Sequence, residues 1–97
     1  FPLMQQLQIL DLSWNQIGNI GTTAIANSIT NFTQLQQLNL GGNRIGSTGA
    51  TALANTIINL TRLDCLHLDG YHISKPVKQQ LKQQFGDKFH IYGDDDD

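Results

Sequence analysis

The sequence has little that could reinforce a small fold covalently or hold it in a membrane. Its 97 residues include a single cysteine, Cys65, which excludes an internal disulfide framework. No apolar run approaches the length of a membrane span, and no stretch has the pattern of a signal peptide. These absences favour a reducing, intracellular (cytoplasmic) setting.

Charge is also sparse, and the formal net charge of −2 is misleading. Four of the eight acidic residues form the terminal run Asp94–Asp97, so residues 1–93 carry six basic and four acidic groups. The basic excess lies on the last predicted helix and its exit, at Lys75, Lys78, Lys82 and Lys88. Lysines scattered along a helix are typical of a solvated face, so we expect no nucleic-acid partner and no membrane partner.

The most informative feature that is present is a repeat. A step of 28 residues lands on leucine in three separate series. These series are Leu7, Leu35 and Leu63; Leu10, Leu38 and Leu66; and Leu12, Leu40 and Leu68. A fixed period of about 20 to 50 residues is typical of a solenoid, in which stacked units share one continuous core.

Each copy changes its period halfway along. Leu10 and Leu12 alternate with residues that point the other way, as in a strand, whereas Ile25 and Ile29 recur at helical spacing. The pattern predicts strands near 8–12, 36–40, 64–68 and 89–92, and helices near 20–30, 48–58 and 75–85. Consecutive parallel strands need a crossover of about a dozen residues, which each loop, helix and return loop supplies.

Repeated polar and small residues have predicted structural roles. Asn15 and Asn43 fall where the chain leaves the strand, and a buried amide there can hydrogen-bond backbone groups that have lost their ladder partners. Gly21 and Gly49 are expected in the first helical turn, where the missing side chain allows a close approach.

Asn31 and Asn59 are expected to end the first two helices, because asparagine tolerates the left-handed conformation common at helix ends. Both residues also begin a glycosylation sequon, Asn-Phe-Thr and Asn-Leu-Thr. Since both sequons recur at equivalent repeat positions, the structural interpretation is favoured over glycosylation.

The two ends of the array differ. In the third copy Gln80 and Lys82 stand where earlier copies have alanine, and Tyr71 stands where they have asparagine, as in a terminal repeat with a polar outer flank. At the other end Phe1 and Met4 align with the last turn of a helix. The sequence therefore predicts a C-terminal fragment of a longer protein, whose exposed N-terminal edge is expected to support self-association.

The pattern LxxLxLxxN, which runs from Leu7 to Asn15 and from Leu35 to Asn43, resembles the leucine-rich repeat. The 28-residue length and the following IGxxGxxA resemble its ribonuclease-inhibitor-like subclass. The resemblance implies an α/β solenoid, a right-handed horseshoe fragment with a parallel sheet on the concave side and helices on the convex side. It places a leucine-rich repeat domain of about three repeats and a C-terminal cap over residues 1–93. The acidic tail over 94–97 is expected to be disordered.

Outward strand positions form a predicted grid on the concave sheet. Its rows are Ile9, Gln37 and Cys65; Asp11, Asn39 and His67; and Ser13, Gly41 and Asp69. Trp14 and Arg44 follow at the rim, and both residue types are enriched among interface anchors. The alternative for Trp14 is that it covers its own loop. The predicted partner-binding residues are Ile9, Asp11, Ser13, Trp14, Gln37, Asn39, Arg44, His67 and Asp69.

Cys65, His67 and Asp69 point to one face and suggest either a thiol, imidazole and carboxylate relay or a metal site. Residues two apart on a strand have Cβ atoms about 6.5–7 Å apart, too far for an undistorted hydrogen-bonded chain, and no fourth ligand is evident. We therefore expect no catalytic residue, no cofactor and no metal. Cys65 is interpreted as half-buried and His67 as an exposed part of a binding face.

The resemblance implies a non-enzymatic protein-protein interaction module that binds another protein on the concave strand face. Its parent could be an inhibitor, an immune sensor or a bacterial effector that is secreted into a host cell. A second hypothesis is an accessory to GTP hydrolysis, since activators of the Ran GTPase share this repeat subclass and carry an acidic tail. Arg44 and Asp94–Asp97 are the residues that this hypothesis would use.

Overall fold

The computed structural model describes residues 6–92, in which strands and helices alternate. The elements are β1 (Ile9–Asp11), α1 (Gly18–Ser28), β2 (Gln37–Asn39), α2 (Ser47–Ile57), β3 (Cys65–Asp69), α3 (Lys75–Phe85) and β4 (Phe89–Tyr92), with 3-10 turns at Ile29–Asn31 and Gly86–Lys88. The four strands form one parallel sheet in the order β1-β2-β3-β4. The predictions made for Phe1 to Met4 and for the acidic tail lie outside the described residues.

The sheet register reproduces the sequence repeat. Leu10 pairs with Leu38, and Leu38 pairs with Leu66, so neighbouring strands are in step by one repeat. The last strand, β4, pairs with β3 although it does not follow the 28-residue period, and Phe89 lies opposite Leu66. The predicted solenoid fold and its four strands are confirmed.

The core lies between the sheet and the helices. Inward leucines of the strands meet the apolar stripe of α2, which is buried at Leu53 and Ile57. Successive helices pack side by side, most closely α1 against α2. The fully buried large side chains include Ile29, Leu35, Leu38, Leu40, Ile45, Leu53, Ile57, Leu66, Leu68 and Leu81.

Polar side chains determine where the strands end. The side-chain oxygen of Asp11 accepts the Ser13 N–H at 3.0 Å, and that of Asn39 accepts the Gly41 N–H at 3.0 Å. An aspartate or asparagine that binds the backbone two residues later turns the chain out of the strand. The third copy has His67 at this position, and β3 continues to Asp69.

The non-glycine residues with positive φ lie in the strand-to-helix loops. Trp14 and Gln16 have φ of 62° and 54°, and the equivalent Gly42 and Arg44 have 75° and 54°. The prediction of left-handed helix ends at Asn31 and Asn59 is therefore wrong, since neither residue has positive φ. Instead, α1 tightens into the 3-10 turn at Ile29–Asn31, and both asparagines are exposed.

Asn43 fulfils the predicted role of a buried amide, and it connects two copies. Its side-chain oxygen accepts the N–H groups of Asn15 at 2.7 Å and Ile17 at 3.3 Å. Its side-chain nitrogen donates to the carbonyls of Leu12 at 2.8 Å and Leu40 at 3.0 Å. Asn15 was expected to do the same, but its side chain is exposed and, among the described residues, donates only to the carbonyls of Leu12 and Ser13 in its own loop.

Helix starts are also satisfied across the repeat boundary. The Asn19 side-chain oxygen, on α1, accepts the N–H groups of Gly46 at 2.9 Å and Gly49 at 2.8 Å at the start of α2. The first N–H groups of a helix have no partner inside the helix, so this contact acts as a cap supplied by the neighbouring copy. A Cβ at Gly49 would lie 2.9 Å from the Asn19 oxygen, which confirms the close approach expected there.

The last helix departs from the expected solvated lysine face at one position. Lys78 is only 3% exposed, whereas Lys75, Lys82 and Lys88 are exposed. Gln80 is exposed as predicted for an outer flank, and Leu81 is buried in the core.

The candidate protein-binding face and cleft

The sheet face that points away from the helices, which we call the open sheet face, carries the predicted rows. The register aligns Ile9, Gln37 and Cys65 in one row and Asp11, Asn39 and His67 in the next. His90 extends the second row, because it pairs with His67. His90 was not among the predicted partner-binding residues, although the alternation of Phe89, His90 and Ile91 indicates that it points to this face.

The predicted partner-binding residues all reach solvent to some degree. Ile9, Asp11, Trp14, Gln37 and Arg44 are exposed. The other four are half-buried: Ser13, Asn39, His67 and Asp69. An exposed fraction of 59% at Ile9 leaves an apolar side chain on this face.

Two carboxylates of the set are committed to bonds within the protein. Asp11 accepts the Ser13 hydroxyl at 2.6 Å, and Asp69 accepts the Gly42 N–H at 2.6 Å. The hydrogen bonds from the Ser13 side chain and backbone lower the pKa of Asp11, and the nearby His67 lowers it further. Both acids therefore contribute to the geometry of the loops as well as to the surface.

Cys65 and His67 were expected to be too far apart for a hydrogen bond, and this expectation is wrong. The Cys65 Sγ lies 2.8 Å from the His67 Nε2, within hydrogen-bonding distance, because the long imidazole spans the gap that the Cβ spacing leaves. The relay does not continue to Asp69, whose carboxylate receives Gly42 instead. His67 is half-buried and stacks on His90, with ring centroids 4.9 Å apart and planes 20° apart.

Burial and neighbouring charges shift the pKa values of Cys65 and His67. Burial raises the pKa of the Cys65 thiol, and the negative Asp64 raises it further, so the thiol is held protonated. Burial also lowers the pKa of His67, and the charge on His90 acts in the same direction. Within residues 6–92, no group of three or more histidine, cysteine or acidic side chains is placed to hold a metal ion.

A cleft opens where β1, β2 and β3 end, next to the open sheet face. Its volume is about 520 Å³. Its lining residues are Ser13, Trp14, Asn39, Gly41, Gly42, Arg44, Asp69, Tyr71 and His72. Trp14 and Arg44 were predicted at this rim, whereas Tyr71 was interpreted only as a break in the asparagine row and His72 was not predicted to take part. Tyr71 and His72 follow β3 and align with Asn43 and Arg44 of the second copy. The alignment with the rim residue Arg44 was the signal that could have identified His72.

Trp14 is the most exposed large hydrophobic residue of the cleft, at 83%, and Tyr71 follows at 69%. The indole lies over the backbone of Gly42, where an added Cβ would overlap its ring carbons. Trp14 thus rests on the loop of the next copy. Its φ of 62° is rare for a bulky residue, and the equivalent position of the next copy is a glycine.

An apolar groove of about 360 Å³ lies between β1 and α1. Leu10 and Leu12 are half-buried there, while the equivalent Leu38 and Leu40 are fully buried. Ile20, on α1, is 90% exposed. Self-association through this edge stays a prediction.

Among residues 6–92, every helix is too short or too polar to span a membrane.

The parallel register and the alternation of strand, loop and helix define the class of protein as an α/β solenoid. A family model described as "Leucine Rich repeat" matches residues 4–26 and 33–54, which are two successive copies. The chain is a leucine-rich repeat protein, as predicted. No curated protein matches the sequence. Leucine-rich repeat domains generally bind other proteins.

Proposed function

We propose that the chain is a non-enzymatic protein-interaction module, whose partner contacts the open sheet face and the adjoining cleft. The proposal is supported by the general use of this family and by the accessible side chains on one side of the sheet. Parallel strands in register hold these side chains in rows about 4.8 Å apart, so a partner meets a surface that is already ordered.

The single observation that carries the proposal is Trp14. A bulky residue in the left-handed region costs about 1–2 kcal/mol, and most of its side chain is in water rather than in the core. Strain of this kind is typical of functional positions. Tryptophan is also enriched among the few residues that supply most of the binding energy of an interface. Contact with a partner would bury the 83% of the Trp14 side chain that the packing on Gly42 leaves exposed.

The experiment compares partner capture by matched variants. Immobilised wild-type protein, Trp14→Gly and Arg62→Glu are exposed to a cell extract, and the retained proteins are quantified by mass spectrometry. Arg62 is exposed and precedes β3, at the opposite ends of the strands from the cleft. We expect a partner that Arg62→Glu retains and that Trp14→Gly loses by at least about tenfold.

Circular dichroism of each variant controls for loss of fold. If every protein captured by the wild type is retained equally by Trp14→Gly, the partner does not use the cleft. Loss only in Arg62→Glu would place the interface elsewhere and contradict the proposal.

A further inference from the structure

We infer that the cleft receives a linear peptide segment of the partner, in which a carboxylate side chain lies next to an aromatic or large apolar one. This inference rests on the proposed function and names the chemistry that the cleft would recognise. It follows from three properties of the lining residues: exposed aromatic rings, an unpaired positive charge and polar groups suited to a peptide backbone.

The aromatic part of the cleft is formed by Trp14 and Tyr71. Both rings are largely exposed, and the Trp14 indole is held against Gly42 on one side, which orders the ring before a partner arrives. A cleft of about 520 Å³ is in the range of small-ligand sites and is large enough for an aromatic or branched apolar side chain. Aromatic pairs gain about 0.5–1.5 kcal/mol beyond the burial of area, which favours a ring in this place.

The cleft lining includes one arginine, Arg44, and one carboxylate, Asp69. Arg44 is exposed, and within the described residues no salt bridge engages its guanidinium. Hydrogen bonds within the protein orient two carboxylates of this region, since Asp69 accepts the Gly42 N–H and Asp11 accepts the Ser13 hydroxyl. A guanidinium binds a carboxylate through two parallel hydrogen bonds, so the partner group that best complements Arg44 is an aspartate or glutamate side chain.

A phosphate would be the competing anion. Sites for phosphorylated peptides use clusters of arginines, whereas a single arginine lines this cleft. The observations therefore favour a carboxylate over a phosphate.

The polar rim can bond a peptide unit. The Ser13 hydroxyl donates to Asp11, which leaves its oxygen as an acceptor for a peptide N–H. The Asn39 side-chain oxygen is used by Gly41, which leaves its NH₂ group as a donor for a peptide carbonyl. Ser13 follows β1 and Asn39 is the last residue of the neighbouring β2, so one acceptor and one donor line the same cleft as the aromatic rings.

The test is selection from a phage library of random linear peptides on immobilised wild-type protein, with counter-selection on Trp14→Gly and on Arg44→Glu. We expect the enriched peptides to combine an acidic residue with an aromatic or large apolar neighbour, and to be lost on both cleft variants. Selection on Arg62→Glu, with a reversed charge outside the cleft, should return the same peptides.

The affinity of a synthetic enriched peptide is then measured by fluorescence anisotropy. Arg44→Glu should weaken it by at least about tenfold, Arg44→Lys should weaken it less, and added salt should weaken the wild-type complex. Replacing the acidic residue of the peptide by its amide should reproduce the Arg44→Glu loss. A phosphorylated version that binds more tightly than the acidic one would overturn the assignment of a carboxylate.

The outcomes separate this inference from the proposed function. Neutral or basic peptides that depend on Trp14 would overturn the inference and leave the cleft as a protein-binding site. An absence of enriched peptides would overturn the inference too, while the capture experiment would still decide the proposed function. Peptides that bind both cleft variants as well as the wild type would contradict both.

Discussion

The pair Asn43 and Asn15 allows a sharp test of how the copies are held together. The two residues occupy the same repeat position, but Asn43 is fully buried and Asn15 is exposed. Replacing each by alanine makes the same chemical change in two environments. The side-chain volume, the loop type and the helix that follows are closely matched between the two sites.

The expected loss at Asn43→Ala follows from its hydrogen bonds. Three are short, at 2.7, 2.8 and 3.0 Å, and two are longer, at 3.3 and 3.4 Å. A typical bond contributes about 0.5–1.5 kcal/mol net, so the three short bonds correspond to a loss of about 3 kcal/mol. Two of the carbonyls that would lose their donor, Leu40 and Gly41, are in a buried part of the loop, so water replaces the amide poorly.

Asn15→Ala should cost less than about 1 kcal/mol, because its two bonds are exposed and water can replace the lost amide. Urea unfolding followed by circular dichroism measures both values, with the slope of the transition as a check on the unfolded state. Equal losses for the two variants, or a loss at Asn43 below about 1 kcal/mol, would refute the assignment of Asn43 as the link between the copies.

Three further predictions test the core, the cleft and the histidine pair. Leu38→Ala should lower the free energy of unfolding by about 2–5 kcal/mol in a urea titration, and the equivalent but half-buried Leu10→Ala should cost less. Trp14→Gly should change that free energy by no more than about 1 kcal/mol, since relief of the left-handed strain offsets the lost packing, while partner binding measured in parallel falls at least tenfold. Because the pKa of His67 is lower in the folded protein than its ordinary value of 6.5, its contribution to stability should be full above that pH and should be lost as the pH falls below 6.5 towards the lowered folded pKa. Urea midpoints measured across this range should show a smaller fall for His67→Gln, and an identical fall would contradict the assignment.

The 28-residue period predicted the repeated strands, the helices and the register of the sheet, and it could do so for a physical reason. A position that is buried in every copy must be apolar in every copy, so Leu10, Leu38 and Leu66 show the register without any structure. The period could not distinguish Asn15 from Asn43, because the two residues occupy the same repeat position. Their burial differs because it depends on which copies pack around each residue.

The contacts that the sequence did not predict depend on how far individual side chains extend from the backbone. Strand spacing measures Cβ positions, and the Cys65 to His67 contact arises from the length of an imidazole. The cap that Asn19 supplies joins residues from two copies, and no local pattern marks it. The left-handed backbone of Trp14 was not predicted. The signal for it was the glycine at the equivalent position 42, since glycine is common where φ is positive.

The hydrogen bonds that cross from copy to copy run in both directions. Asn43 bonds the loop of the copy before it, whereas Asn19 caps the helix of the copy after it, and the Ser47 hydroxyl oxygen accepts the Ser74 N–H at 2.8 Å in the same way. The described copies are therefore completed by their neighbours, and loss of one leaves unpaired groups in the next. In a one-dimensional array this means that the coupling between units is large compared with the stability of each unit alone. The described copies should consequently melt as one cooperative unit, and amide exchange should reveal a shared opening free energy for β2 and α2 rather than stepwise fraying from one end.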